Sequence, residues 1–238
     1  ADVYVTGSNA RFLSKDVITE FRGRGDEVKI YPLSFAEFMS AFDGSNQLGL
    51  DEYMTFGGLP LILSYKTQEQ KSAYLKNLFE ETYIKDIKER YQIRHEEEFE
   101  ELLNIISSSI GSLTNPTKLS KTFQSVKHVT VNPETIKYYL EYLCDSFLVS
   151  KAMRYDVKGK KYIGTTPKYY FKDLGLRNAI LAFRQTAEHH LMENDIYNEM
   201  RHRGFLVDVG NVNVRVKNED EKWQRVTLEV DFVCNLGS

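Results

Sequence analysis

Chemistry in this chain is concentrated in a basic stretch. Between Lys151 and Lys172 lie seven basic residues, Lys151, Arg154, Lys158, Lys160, Lys161, Lys168 and Lys172, against one acid, Asp156, in a chain whose net charge is −3. Ammonium and guanidinium groups gathered in this way neutralise phosphate oxygens, so a nucleic-acid backbone is the expected ligand. A solvated hairpin tip accounts for the same residues equally well. A second group, His189, His190 and Glu193, puts two metal-ligand types at i and i+4 on one helix face, but no third ligand follows at a recognised spacing. These residues therefore read as a helix start. Phosphate-cradling chemistry is missing: the chain contains no G-x-x-x-x-G-K-[ST], and Gly57-Gly58 leads into Leu59-Pro60, which makes it a turn. No ATP hydrolysis is expected from these residues by themselves.

The elements that must position the basic stretch are a helix and a hairpin. Asn132 suits an N-cap and Pro133 the first helical position, where a missing N–H costs nothing. Ile136, Tyr139, Leu140, Leu143 and Phe147 then share one apolar face. Lys137, Tyr138, Glu141 and Asp145 fall on the other sides, a mixed surface in which Lys137 and Tyr138 are the groups able to meet DNA. Phe147, Val149 and Ala152 alternate with polar neighbours up to a turn at Lys158-Gly159-Lys160-Lys161, followed by Tyr162-Ile163. Upstream, Phe99, Leu102, Leu103, Ile106 and Ile110 mark an amphipathic helix that Gly111 can end, and Asn115-Pro116 opens a shorter one. Three helices followed by a hairpin make a winged helix.

The remaining chain sets the frame. With 238 residues, 42% apolar and 27% charged, it is an ordinary globular sequence with room for one to three domains. Its apolar runs are too short to span a membrane and no secretory signal opens it. Cys144 and Cys234 are too few and too separate for a disulfide framework, so a reducing cytoplasm is expected. The fifteen tyrosines fall mostly at core spacing and read as packing residues. From Glu80 to Glu101 there are nine acids against four bases, within and after a long amphipathic helix predicted over Gln70 to Arg90. That side would repel nucleic acid, and a solvated face is its simplest reading.

At the N-terminus, Val3-Tyr4-Val5-Thr6 has the pattern of a buried strand with no earlier strand to pair with, which leads us to expect a fragment of a longer chain. A helix over Ser14 to Phe21, a strand over Glu27 to Ile30, and a helix carrying Phe35, Phe38, Met39 and Phe42 complete a trailing α/β piece. After Pro167, Tyr169 to Phe171 is strand-like, and Leu174 to Phe183 and His190 to Arg203 are helical. Strand patterns follow over Phe205 to Val209, Asn211 to Val216 and Val226 to Val233.

Several segments together resemble a known family: VYVTGSN, a GRG-containing loop, IYPLSFAEF, FGGLP, YLKNLFEETYIKDI, KYYFKDLGLRNAI and HLMENDIYNEMRHRG. In order, they look like the part after the P-loop in archaeal and bacterial AAA-type ATPases that carry a winged helix and a C-terminal restriction-endonuclease-like domain. The resemblance implies an α+β, multidomain chain. Its expected parts are the end of the ATPase domain (1–48), a helical lid or linker (49–92), a winged helix (93–166) and a truncated endonuclease-like domain (167–238). It implies that Asn9 is a sensor that polarises the attacking water near the γ-phosphate, and that Arg22 or Arg24 contacts a phosphate. A loop residue capping the next helix, and a solvated loop, explain the same three residues. ATP and Mg²⁺ would belong to the intact parent, and no cofactor is expected for this part alone. The same resemblance makes Glu199 and Asp231 the remnant carboxylates of a nuclease site, although the acid-x-Lys strand that would complete it does not follow.

Three functions remain open at this stage: part of an ATPase with a DNA-binding winged helix, an adaptor for DNA or protein without catalysis, and a metal-dependent nuclease. The expected partners are duplex DNA at Lys158, Lys160 and Lys161, or a protein; no membrane partner is expected.

Overall fold

The computed structural model describes residues 28–184, 188–217 and 221–236. Asn9, Arg22, Arg24, the strand at Val3 to Thr6 and the helix at Ser14 to Phe21 lie outside the described residues. Of the strand expected over Glu27 to Ile30, residues 28–30 are described and take no regular structure.

Helix α1 (Phe35–Ala41) starts at a capping box, in which Ser34 Oγ accepts from Glu37 N and the Glu37 carboxylate accepts from Ser34 N. Helix α2 (Asn46–Phe56) ends at Gly57, whose φ of 76° is open to glycine without strain. After a 3₁₀ turn at Pro60–Ser64, α3 (Gln68–Asn77) runs through a π-helical segment (Leu78–Ile84) into α4 (Lys85–Tyr91). The long amphipathic helix read from the sequence is thus present, with a π segment in its middle that periodicity does not encode. Three further helices follow: α5 (Glu96–Ser108), α6 (Pro116–Thr122) and α7 (Pro133–Asp145), the last two capped by Asn115 and Asn132 with proline at the first position. Buried Phe99, Leu102, Leu103 and Ile106 of α5 meet Ile136, Tyr139, Leu140 and Leu143 of α7 in one core with Phe38, Phe56, Leu75 and Ile87. Helix α5 stops at Ser108, earlier than its apolar pattern suggests, and Gly111 (φ 72°) instead turns the chain so that its N–H donates to the Tyr169 carbonyl.

One mixed sheet carries all the strands among the described residues, in the order β2-β1-β3-β4. Strands β1 (Val149–Asp156) and β2 (Lys161–Phe171) form the expected hairpin around a turn at Val157 to Lys160. Leu113, between α5 and α6, bridges Lys168 of β2. Helices α8 (Leu174–Ile180) and α9 (Glu188–His202) follow, then β3 (Phe205–Lys217) and β4 (Trp223–Leu236). The three late strand patterns are two long antiparallel strands, because the interruption near Asp208 to Gly210 is a bulge in a continuous ladder. Strand β3 runs parallel to β1, Arg154 opposite Val209. The hairpin and the last two strands are therefore one sheet, and the expected boundary between 166 and 167 falls inside β2. The architecture is α+β.

Sheet pleat sorts the side chains. Ala152, Tyr170, Val207 and Val209 point toward α9 and pack with Tyr197 and Phe232. On the opposite face, Val149, Tyr169 and Phe171 pack into the helical core.

Candidate functional site

The hairpin tip is built by Asp156. Its Oδ1 accepts the backbone N–H of Lys158 (3.1 Å) and Gly159 (2.9 Å), closing a side-chain turn, and Lys160 follows in the left-handed region with φ 49°. Lys158, Lys160 and Lys161 are all exposed, and Lys158 Nζ donates to the Asn213 carbonyl of β3 at 3.3 Å. On α7, Tyr138 is half exposed, while Lys137 Nζ lies 3.9 Å from Glu134, which offsets part of its charge.

Basic residues missed by the sequence reading stand beside this tip. Arg215 and Arg225 are directly opposite each other across β3 and β4, and Lys217 Nζ lies 5.9 Å over the ring of exposed Trp223. Like charges placed opposite one another weaken a strand pair, so Arg215 and Arg225 are poorly explained by sheet stability. The available signal was the RVK and KWQR spacing around a turn, which becomes legible only when the two strands are read as a hairpin.

The root of the hairpin corrects the seven-residue basic patch. Lys168 is buried, its Nζ 2.9 Å from Glu193 of α9 and 2.8 Å from Glu229 of β4. Burial alone would lower its pKa, but the two carboxylates outweigh it and the pKa rises. Tyr170 Oη donates to the same Glu193 oxygen at 2.7 Å, and burial followed by this bond raises the tyrosine pKa. Lys172 is largely buried too, with its Nζ 4.2 Å from the Phe147 ring centre. Burial pushes its pKa down to about 8, with Arg201 and Lys29 adding to the shift and Cys144 opposing it. Both lysines belong to the packing of the sheet, and neither adds to an exposed basic surface.

The two remnant carboxylates stand apart from each other's partners. Glu199 pairs with Arg203 at 2.7 Å, and Asp231 is exposed at the β4 bulge. Glu193 is engaged by Lys168 and Tyr170, which explains its place on the helix without a metal. No group of three or more His, Cys, Asp or Glu suited to a metal ion occurs among the described residues. Cys144 and Cys234 are free, and burial pushes the Cys144 thiol up to about 12.

A buried polar junction ties the N-terminal helices to the sheet. Asp173 caps α8 by accepting from Leu176 N at 3.0 Å and also accepts from Gly58 N at 2.8 Å. A Cβ on Gly57 would strike the Asp173 carboxylate, and one on Gly175 would strike the Phe56 carbonyl. Asn178 Nδ2 donates to the Met54 and Thr55 carbonyls at the end of α2, and Arg177 Nε donates to the Ser107 carbonyl at 2.8 Å. FGGLP and KDLGLRN thus form one structural joint. Burial raises Asp173 to about 6 against the opposing pull of its backbone N–H donors.

No helix among the described residues is long and apolar enough to cross a membrane. Residues 1–39 match the family model described as an AAA domain. The chain is similar to an uncharacterized protein of Haemophilus influenzae, 35% identical over 98% of this chain and 56% of the relative. It is also similar to an uncharacterized protein of Methanocaldococcus jannaschii, 29% identical over 98% of this chain and 52% of the relative. The chain thus spans about half the length of the curated relatives it matches. No solved structure matches it. Residues 47–187, more than half of the chain, match the model described as a domain of unknown function, DUF8612, and the chain belongs to that family.

Proposed function

We propose that this chain is part of a longer AAA-type ATPase, and that α5, α6, α7 and the β1–β2 hairpin form a winged-helix unit that docks duplex DNA through Lys158, Lys160 and Lys161. The observation that carries this reading is the hairpin tip, where three exposed lysines are held by the Asp156 turn, while Lys168 and Lys172 at the root are paired or packed away. The Leu113–Lys168 bridge supports it, because it lets the chain between the first two helices add to the hairpin as a winged helix needs. The AAA match at residues 1–39 supports the ATPase context, in which Asn9 and Arg22 or Arg24 would face the nucleotide. ATP and Mg²⁺ would bind in the parent, since no P-loop occurs in these 238 residues.

Phosphate contacts of this kind position a protein on DNA and carry no base readout, so binding should depend steeply on salt and weakly on sequence. The test is fluorescence anisotropy with a labelled duplex. Lys160→Glu with Lys161→Glu should weaken binding at least about tenfold. Equal binding by the double variant removes the hairpin as the contact.

A second reading, a protein-binding adaptor, draws support from the mixed surface of α7, where Lys137 sits beside Glu134. It predicts no duplex binding by the wild-type chain at low salt.

A further inference from the structure

Among the described residues, part of the sheet face opposite α9 carries no covering layer. The ladder places Tyr162, Tyr155, Gly210 and Val230 in one row across all four strands. Pairs Val212–Leu228 and Val214–Val226 extend that face along β3 and β4. Helix α9 lies on the other side, against Val207 and Val209, and the helical core reaches this side only at Val149, Tyr169 and Phe171. Tyr162 is accordingly 60% exposed, Leu228 50% and Val230 44%. Next to these rows, Asp208 lies opposite Val233, and its carboxylate accepts from Tyr162 Oη at 3.0 Å. An apolar sheet face of this size is normally buried against another layer.

We infer that this face is a docking surface for an apolar layer supplied by the same polypeptide outside residues 1–238. The relatives carry almost as much chain again as is matched here, so the material for such a layer exists in proteins of this kind. A covalently attached segment meets the face at an effective concentration of about millimolar, which favours it over a second copy at ordinary protein concentrations. Over the rows from Tyr162 to Val226 the side chains are apolar or tyrosine, so apolar burial is the driving force this part of the face has to offer. Strand β4 is the sheet edge beside it, and its outer backbone groups are available to the same segment. This inference does not depend on whether the hairpin binds DNA.

The test compares thiol labelling at Leu228→Cys, in a Cys234→Ser background, between the 238-residue chain and the full-length product of the same gene. Cys144, with its raised pKa, serves as the slow internal reference. Labelling should be rapid in the 238-residue chain and at least about tenfold slower in the full-length protein. Equal rates in the two overturn the proposal. So does protection already present in the 238-residue chain: if it grows with protein concentration, a second copy is the occupant, and if it does not, the face is covered within the chain itself. Val207→Cys, buried under α9 on the neighbouring strand, stays slow to label as long as the sheet remains folded.

Discussion

The root and the tip of the β1–β2 hairpin carry the same residue type and use it in opposite ways. At the root, Lys168 is locked between Glu193 and Glu229, and Lys172 is packed on Phe147 with no carboxylate pairing it among the described residues. At the tip, Lys158, Lys160 and Lys161 stand in solvent. A buried charge must be compensated or be expelled by neutralisation, whereas an exposed one is held by water and stays available to a ligand. The lesson is that the basic charge left in solvent comes from the tip, from Lys151 and from Arg215, Lys217 and Arg225, and the seven-residue count overstates the hairpin's share.

The largest expected effect is at the paired root. Lys168→Met leaves two carboxylates facing each other without their cation, and should destabilise the chain by about 3–5 kcal/mol in denaturant unfolding. A loss below about 1 kcal/mol would mean that the cluster is loosely held.

Next comes a buried acid that no cation pairs with among the described residues. Burial raises Asp195 from 3.8 to about 6, with Glu199 and Asp173 adding to the effect. The folded chain then binds a proton that the unfolded chain has released between those two values, so this residue costs stability as pH rises through that window. Asp195→Asn should raise stability at pH 8 by about 2–3 kcal/mol, and the gain should shrink toward pH 4. A gain that is independent of pH would assign the effect to packing.

Lys172 should behave opposite to Lys168. Its pKa falls from 10.5 to about 8, so the unfolded chain binds more protons between those values and stability rises with pH across them. Lys172→Met should therefore be neutral or stabilising by about 1–2 kcal/mol at pH 7 and lose that gain near pH 10. Destabilisation at pH 7 would show that the contact with Phe147 outweighs the cost of burying the charge.

At the tip, stability should barely move. Lys160→Glu with Lys161→Glu is expected within about 0.5 kcal/mol of the parent, since exposed charges contribute little to folding.

Much of the scaffold was legible in the sequence, for physical reasons. The apolar periodicity of Ile136 to Leu143 and of Phe99 to Ile106 survives because those helices bury one face each, and Asn115 and Asn132 cap where their side chains reach the first free N–H groups. What was not legible depends on partners far along the chain. Lys168 meets Glu193 at a separation of 25 residues, and Gly58 meets Asp173 at 115, contacts with no local pattern. The bulge at Asp208 to Gly210 broke one strand pattern into two, which hid the long hairpin and with it Arg215 and Arg225. The sensor and phosphate contacts implied for Asn9, Arg22 and Arg24 fall outside the described residues.

The most direct measurement of the central claim is the salt dependence of duplex DNA binding by the wild-type chain and by Lys160→Glu with Lys161→Glu. Losing two phosphate contacts should make the slope of log K against log salt shallower by about 1.8 and lower affinity throughout. An unchanged slope, or a wild-type chain that does not bind duplex DNA at low salt, would contradict a DNA-docking role for the hairpin tip.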